Sequence, residues 1–419
     1  MVTSVMLTVN KASAAPTQLP SAAALDTNFP TTAAETYKIL VNHDGIYEIT
    51  YDNLAAAGMN MAAVNPNTIE MMHRGQPVAY KFNGDSDATF EANESILFYG
   101  WAFDGLRTEK QFVTDNVFWL WTGGTRKSVG STDNSNVGEV VTSLRTAVTK
   151  EPENLFTTTY SDQWDTFPNE PDSWYWDLVI QGNLSGTPPS KTYQIDLPHV
   201  ASSGPDGQYT IELLSREKSS EPTGISYLVR GYMNSYSSYG EAAWTEVQSI
   251  NITHSIPQSN LINGTNNVRL DFLSTSSLAE IYLNRITVEY QRQLTADNDE
   301  LIFTDMTGGA RQFQVSGFSE NDPALVWNVT IPTTTLEIPM TAPGKISSGV
   351  YTIGSNHAAG AKFIATTTAN THTPLSISKY VPTSLEPPAG GADWIAISHA
   401  NFLAQANTLA NHRASFSGM

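Results

Sequence analysis

The structured part of the chain begins with Tyr37–Gly58, which reads "YKILVNHDGIYEITYDNLAAAG". Apolar and polar residues alternate over Tyr37–Val41 and again over Ile46–Tyr51, and this alternation is typical of half-buried β-strands. The intervening Asn42–Gly45 ends in Asp-Gly, a pair that favours a hairpin turn. We therefore expect two strands that pair with each other across this turn.

A short helix is expected directly after these strands. Asp52 is a suitable N-cap for a helix over Asn53–Ala57, and Gly58 is a suitable stop. The next strands are predicted at Ile69–His73 and Val78–Phe82, joined by a turn at Arg74-Gly75.

Strand patterns dominate the rest of the sequence. Between 191 and 292, alternating runs recur at regular spacing and are bounded by Gly, Asn, Ser or Pro, which predicts a jelly roll or a similar two-sheet sandwich. The fold class is therefore mainly β, with successive β-sandwich or jelly-roll-like domains. The expected divisions are a signal-like and flexible leader at 1–35, an N-terminal β domain with one short helix at 36–130, a loop-rich linker with an aromatic patch at 131–190, a jelly-roll-like β-sandwich at 191–295, a further β module at 296–388, and a final segment at 389–419.

Composition narrows the classes of function. The 419 residues carry a formal net charge of −19, which argues against nucleic acid as a partner because phosphates require a basic face. The chain contains no cysteine, so it holds no disulfide, thiolate metal site or cysteine nucleophile. A cysteine-free β protein rich in Thr and Asn is typical of bacterial exported proteins, and we expect an extracellular or cell-surface location.

The N-terminal residues support export. Met1–Val9 is a short apolar run, and Ala12–Ala15 has the small residues of a signal cleavage site. No run reaches the roughly 18 apolar residues that a membrane-spanning helix needs, so no transmembrane segment is expected.

The last segment has a different pattern. Trp394–Ile397 is an apolar run after the Pro/Gly-rich break Pro387–Gly391, and apolar residues then recur at helical spacing from Phe402 to Arg413. A continuous apolar run suits a strand buried on both faces of a parallel sheet, so strand and helix would form the first half of a βαβ unit. A terminal helix docked on the preceding β domain is the alternative.

Several stretches, in this order, resemble the N-terminal, non-catalytic half of gingipain-like cysteine peptidases. They include the opening segment quoted above, "IEMMHRGQPVAYKF" from Ile69, "NRITVEYQRQL" from Asn284, and "GADWIAISHANFLAQANTLANHRASFSG" from Gly391. The resemblance spans about residues 36–419 and rests on the ordered set rather than on one specific motif.

The resemblance implies that this chain belongs to a longer protein in which another domain is catalytic. Residues 389–419 would be the first strand and helix of a caspase-like α/β peptidase domain, so this sequence would be truncated at the start of that domain. The catalytic His and Cys would lie in the missing C-terminal peptidase domain, and His399 does not match the catalytic histidine. This chain is therefore predicted to be inactive as it stands, and protein substrates belong to the full-length form.

A carbohydrate- or surface-binding β-sandwich protein is the alternative function. Flat aromatic side chains stack on sugar rings, and the jelly-roll region offers Tyr232, Tyr236, Tyr239 and Trp244. Trp164, Trp174, Tyr175 and Trp176 could extend such a platform. The competing interpretation is that these aromatics fill the core between two sheets.

A calcium site is the one cofactor considered. Asn83–Glu94 places oxygen ligands at positions 1, 3, 5, 9 and 12 of a loop, as calcium loops do. Position 6 is Ala88 where such a loop needs Gly, and no flanking helices are predicted, so a plain acidic loop is the alternative. The candidate ligands in this loop are Asp85, Asp87, Glu91 and Glu94. The family resemblance implies calcium elsewhere in the chain and points to no particular ligands.

Overall fold

The computed structural model describes residues 4–9, 35–85, 87–105, 107–110, 112–134, 137–156, 174–181, 190–217, 227–245, 248–273, 279–319, 325–340, 345–347, 349–381 and 394–415. The fold is mainly β and consists of several mostly antiparallel sheets, which confirms the predicted class. The cleavage-site pattern at Ala12–Ala15, the break at Pro387–Gly391 and Trp164 lie outside the described residues.

Strands follow one another along most of the described chain. The first ten are β1 (Ser4–Val9), β2 (Tyr37–Val41), β3 (Gly45–Thr50), β4 (Glu70–His73), β5 (Gln76–Pro77), β6 (Tyr80–Asn83), β7 (Ser95–Gly100), β8 (Asn116–Trp121), β9 (Gly130–Ser131) and β10 (Glu139–Val141). The next eleven are β11 (Ser143–Lys150), β12 (Leu155–Phe156), β13 (Trp174–Tyr175), β14 (Asp177–Gln181), β15 (Ser190–Leu197), β16 (Gly207–Glu217), β17 (Tyr227–Met233), β18 (Gly240–Trp244), β19 (Ser249–Ile256), β20 (Gly264–Phe272) and β21 (Ala279–Gln293).

The last part of the chain contains shorter strands and the longest helix. Its strands are β22 (Glu300–Asp305), β23 (Gly309–Ser316), β24 (Leu325–Asn328), β25 (Leu336–Glu337), β26 (Lys345–Ser347), β27 (Val350–His357), β28 (Ala361–Thr366), β29 (Ser376–Lys379) and β30 (Trp394–His399). The α-helices of the described chain are α1 (Tyr51–Ala56), α2 (Arg107–Lys110) and α3 (Leu403–Ser415).

The first module packs two sheets around one core, with strand orders β29-β2-β8-β4-β5 and β3-β7-β6. The predicted hairpin between β2 and β3 is wrong, because these strands pair with partners in different sheets. The connecting turn is instead held by distant groups: the Asp44 carboxylate accepts hydrogen bonds from the Ala102 backbone N–H at 3.0 Å and the Tyr99 hydroxyl at 3.1 Å.

Local chemistry explains the ends of the short elements in this module. Helix α1 is capped by Thr50 rather than by the predicted Asp52, because Thr50 and Asn53 exchange side chain–backbone hydrogen bonds in a capping box. The predicted turn at Arg74-Gly75 is confirmed, since it joins the paired strands β4 and β5. Both turn residues have positive φ, at 45° and 74°, a conformation that suits a tight hairpin turn.

The core of the first module also contains residues from much later in the chain. Leu325, Trp327, Val329 and Ile364 are buried in the same cluster as the strands of 37–120. Strand β29 adds to the edge of β2. The first module is therefore completed by residues about 200 or more positions further along the chain.

The second module is a two-sheet sandwich. One sheet has the order β11-β21-β16-β19 with β14 also pairing β21, and the other has the order β15-β20-β17-β18. Alternate residues of β17 and β20 face inward and pack into a cluster whose members all come from 148–290. This arrangement agrees with the expected jelly-roll-like sandwich.

The third module combines the sheets β22-β28-β24-β25-β9 and β10-β23-β27-β26. Strands β9 and β10 join these sheets in parallel pairings with β25 and β23. The segment predicted as a loop-rich linker, 131–190, thus supplies strands to the second and third modules and is more than a connection. The predicted domain boundaries themselves stay predictions.

The tail contains the expected strand and helix, but its pairing differs from the expectation. Strand β30 pairs antiparallel with β1, from Ser4↔His399 to Val9↔Trp394, instead of lying in a parallel sheet. It is also not buried on both faces, since Ile395 and Ile397 are 47% and 76% exposed. Among the described residues no second parallel strand flanks β30.

Candidate functional site

The predicted calcium ligands lie in the loop of a β-hairpin. Strands β6 and β7 pair from Tyr80↔Phe98 to Asn83↔Ser95, and the acidic loop connects them. Asp85, Glu91 and Glu94 each offer a carboxylate oxygen, and these oxygens all lie within 4.8 Å of one another. The structure thus brings three of the four predicted residues together, on a hairpin rather than between helices.

The fourth predicted ligand, Asp87, shapes the loop backbone instead. Its carboxylate accepts a hydrogen bond from the Thr89 N–H at 2.6 Å, and its own N–H donates to the Asp85 carboxylate at 2.9 Å. It is not a member of the converging group. Ala88 follows Asp87 without the glycine that a calcium loop needs, in keeping with this different loop shape.

The Glu94 carboxylate holds the backbone of the acidic loop in place. Its side chain is buried, and its two oxygens accept hydrogen bonds from the backbone N–H groups of Asp85 and Glu91, both at 2.8 Å. A Cβ on Gly84 would lie 2.3 Å from the Glu94 carboxylate oxygen, so this close approach requires glycine. The pKa of Glu91 is raised by desolvation and by the neighbouring charges of Asp87, Glu94 and Asp85.

The predicted aromatic platform is divided by the structure. Tyr232 and Tyr239 lie on the outer face of the second module with ring centroids 5.1 Å apart. The Arg269 guanidinium lies over the Tyr232 ring at 4.2 Å and that of Arg230 over the Tyr239 ring at 4.8 Å. These four side chains form a row, which we call the tyrosine–arginine row.

Trp244 and Tyr236 do not belong to that row, so the four predicted residues do not form a single platform. Trp244 is buried and stacks on Tyr227 with centroids 5.2 Å apart. Tyr236 is partly buried against the core of the second module. Trp244 is buried because successive side chains of a strand point to opposite faces, and Trp244 occupies an inward-facing position of β18.

Two of the other candidate aromatics pack inward, whereas Trp174 lies beside Phe156, which is 54% exposed. Trp174 contacts Phe156, Tyr175 belongs to a small buried cluster, and Trp176 contacts Tyr193. Tyr175 and Trp176 therefore pack as the core interpretation expects.

A buried serine–histidine–aspartate set was not predicted from the sequence. In the third module His357 contacts the Ser355 hydroxyl at 3.2 Å through Nδ1 and the Asp305 carboxylate at 3.1 Å through Nε2. These residue types can form a hydrolase triad, but Ser355 is 4% exposed and Asp305 is fully buried. A substrate could not reach the hydroxyl, so the set is a structural network.

Asp305 is held in its charged form within this network. Burial acts to raise its pKa, but hydrogen bonds from the Thr307 N–H and His357, together with the charge of Arg311, lower the pKa overall. Arg311 Nε lies 3.2 Å from the Asp305 carboxylate and also pairs with Glu139 of β10. Arg311 therefore links β10 to the buried network around Asp305.

A second cluster missed by the sequence lies where the first and third modules meet. His43 and His372, 329 positions apart, have ring nitrogens 3.0 Å from each other. Burial, followed by the charge of His372, lowers the pKa of His43. No spacing rule connects such distant residues, and only the paired backbone of the two segments reveals them.

His399, at the end of β30, is exposed at the surface. Its Nδ1 accepts a hydrogen bond from the Asn401 N–H at 3.2 Å. Among the described residues, none of the helices combines the length and apolar character required to cross a membrane.

Comparison with known proteins shows a likeness of fold. No protein-family model matches the chain, and no curated protein matches its sequence. The crystal structure of dimeric latent PorU from Porphyromonas gingivalis is similar, with a TM-score of 0.58 and 15% identity, over 84% of this chain and 33% of that chain. The chain thus spans about a third of the PorU chain's length, and the likeness shows a shared fold.

Two structures with bound carbohydrate were also found, but their TM-scores are too low to indicate a shared fold. Isomalto-dextranase of Arthrobacter globiformis T6, complexed with panose, has a TM-score of 0.19 and 11% identity, over 61% of this chain and 36% of that chain. BuGH86, in complex with neoagarooctaose, has a TM-score of 0.21 and 11% identity, over 64% of this chain and 33% of that chain.

Proposed function

We propose that this chain is the N-terminal, non-catalytic region of a secreted gingipain-like cysteine endopeptidase. The observation that carries the proposal is the fold shared with latent PorU over 84% of this chain. The ordered sequence resemblance to gingipain-like peptidases over about residues 36–419 supports the same function. In this proposal the β modules hold or shield a peptidase domain that acts on protein substrates.

Two features of the chain support a non-catalytic role. It contains no cysteine, so a cysteine nucleophile would have to come from outside these residues. The serine–histidine–aspartate set of the third module is buried and does not offer a substitute. The exposed Ile395 and Ile397 of β30 are where we expect the rest of an α/β peptidase domain to pack.

An activity comparison tests this proposal. The purified chain is incubated with fluorogenic peptide substrates and a cysteine-directed affinity probe, beside the native protein captured from producing cells or their medium with an antibody against this chain. We expect no cleavage by the chain alone and probe-sensitive cleavage by the captured protein. Cleavage by the chain alone, or a captured protein that neither cleaves nor reacts with the probe, would contradict the proposal.

Carbohydrate binding is the second candidate function, and the tyrosine–arginine row favours it. Tyr239 is 37% exposed, and Arg230 and Arg269 are paired with Glu241 and Asp271, which gives aromatic faces beside polar hydrogen-bonding groups. Affinity electrophoresis on a panel of polysaccharides should show retardation that Tyr232→Ala and Tyr239→Ala abolish. Gln194→Ala, an exposed position of the same sheet, is the matched control. Equal mobility of all variants on every polysaccharide would remove this candidate.

Calcium binding in the acidic loop is a separate proposal. Carboxylate oxygens are ligands that calcium prefers. A cation would offset both the desolvation and the neighbouring negative charges that raise the pKa of Glu91. We expect calcium chloride to raise the melting temperature of wild type over that in chelator, and Asp85→Asn/Glu91→Gln to remove the difference. Asp206→Asn, at an exposed acidic position far along the chain, should keep it. A melting temperature of wild type that chelator leaves unchanged would refute this site.

A further inference from the structure

The junction between the first and third modules brings two histidines together in a fixed setting. The His372 backbone is anchored to β3, because its N–H donates to the Ile46 carbonyl and its carbonyl accepts from the Glu48 N–H, both at 2.8 Å. A Cβ on Gly45 would lie 2.2 Å from the His372 ring, so that ring packs directly on the turn between β2 and β3. His43 extends from the same turn.

The two rings face each other through one nitrogen each. His43 Nε2 lies 3.0 Å from His372 Nδ1, and the rings are perpendicular with centroids 4.3 Å apart. The outer nitrogens are already engaged: His372 Nε2 lies 2.8 Å from a Glu300 carboxylate oxygen. His43 Nδ1 lies 2.7 Å from the Asn42 side-chain oxygen and 3.0 Å from the Tyr47 hydroxyl.

These outer partners determine where the ring protons are. A carboxylate or an amide oxygen only accepts hydrogen bonds, and the Tyr47 hydroxyl donates its one proton to the His43 carbonyl at 3.1 Å. All three outer partners are therefore satisfied when the outer nitrogen of each ring carries the proton. A neutral imidazole has one N–H and one bare nitrogen. The two inner nitrogens of the neutral rings therefore present lone pairs to each other, and a cation between them would turn this repulsion into attraction.

We propose that His43 and His372 bind a divalent transition-metal ion of the zinc class at this junction. Imidazole nitrogens suit zinc, copper and nickel. Two nitrogens that each lie about 2.0–2.1 Å from zinc in tetrahedral geometry are roughly 3.3 Å apart, close to the 3.0 Å between these two. Since His43 is at the surface, water can complete the coordination.

Glu300 acts as the positioning residue of this site. Metal-bound histidines commonly donate their second N–H to a carboxylate, which fixes the tautomer and orients the ring. Glu300 does this for His372 and is itself only partly exposed, with 18% of its side chain accessible. The nitrogen ligands distinguish this site from the acidic loop, whose oxygen ligands suit calcium.

The expected consequence is a link between modules. His43 belongs to the start of the first module, and His372 follows the last strand of the third, so a metal would cross-link residues 329 positions apart. A ligand that binds only the folded state raises its stability, so metal should stabilise the junction. This inference does not depend on the peptidase proposal.

Calorimetric titration of the tag-free, metal-stripped full chain with zinc chloride tests the site. We expect one equivalent to bind wild type and His254→Ala, a matched histidine control in the second module. His43→Ala and His372→Ala should lose this binding, and Glu300→Gln should weaken it by about 10–100-fold. His43→Ala lies in an exposed turn, so it remains informative if His372→Ala fails to fold.

Two further results separate the alternatives. Glu91→Gln in the acidic loop should bind zinc as wild type does, and loss of binding there would assign the zinc to that loop and overturn the proposal. Absence of one-equivalent binding by wild type would also overturn it. Retention of full binding by His43→Ala would contradict it as well.

Discussion

The second module and the first module differ in which parts of the chain form their hydrophobic cores. The core of the second module comes entirely from 148–290, whereas the core of the first module needs Trp327 and its neighbours from more than 200 residues later. The second module can therefore fold from one continuous segment. The first module can complete its core only when a segment from much later in the chain packs against it.

Excision of each module should give the largest difference. A fragment of 142–294 should fold, because its buried apolar residues are all present. A fragment of 36–134 should not, because it lacks Trp327, Ile364 and strand β29. Circular dichroism and amide dispersion in NMR measure this, and a well-folded 36–134 fragment would break the comparison.

The substitution Trp327→Ala should have the next largest effect. Trp327 is fully buried in the first module, and removing a large core side chain costs about 3–5 kcal/mol. Urea unfolding of the full chain, monitored by tryptophan fluorescence and by proteolysis of the first module, measures the loss. Tyr239→Ala, at the surface of the second module, is the control, and an equal effect of the two substitutions would contradict this account.

Strand positions could be predicted from the sequence, but pairing could not. Alternation placed strands near Tyr37–Val41 and Ile69–His73, and the Arg74-Gly75 turn was correct because turn chemistry is local. The pairing of β2 and β3 was wrong because Asp-Gly permits a hairpin but does not require one. The Asp44 carboxylate, bonded to Ala102 and Tyr99, holds this turn against other strands.

The candidate sites, like the strands, could be predicted only where their residues lie close together in the sequence. The acidic loop was predicted because Asp85, Glu91 and Glu94 lie within ten positions of one another. The platform was only partly predicted, since inward and outward positions depend on the register of β17 and β18. His43 and His372 come from opposite ends of the described modules, and sequence spacing carries no sign of their contact.

A buried charge should add a pH-dependent effect within the third module. Asp305→Asn leaves Arg311 and His357 without their carboxylate, which costs about 3 kcal/mol when a buried pair is broken. Because folding lowers the pKa of Asp305, its contribution is complete above the unfolded-state pKa of about 3.9. It is lost as pH falls through the lower folded-state value.

Urea unfolding at several pH values checks this prediction. The stability difference between wild type and Asp305→Asn should be largest near neutral pH and should shrink below about pH 4. Glu139 also pairs with Arg311, so Glu139→Gln serves as the control that leaves Asp305 in place. A difference that grows on acidification would contradict the assigned charge state.

The smallest effect is expected for the ion pair between modules. Lys362 of β28 pairs with Asp44 of the first module, and about a third of each side chain is exposed. Lys362→Ala should change the unfolding free energy by about 0–1 kcal/mol, as exposed ion pairs do. A loss as large as that of Trp327→Ala would mean that charge, rather than apolar packing, joins the distant segments.

Mass spectrometry of the native polypeptide tests the central claim most directly. The protein is captured with an antibody against the second module, and its intact mass and tryptic peptides are measured. We predict one polypeptide much larger than the 45.6 kDa of this chain, with peptides from a domain that holds a catalytic histidine and cysteine. A native polypeptide of 45.6 kDa without such peptides would contradict the proposed function.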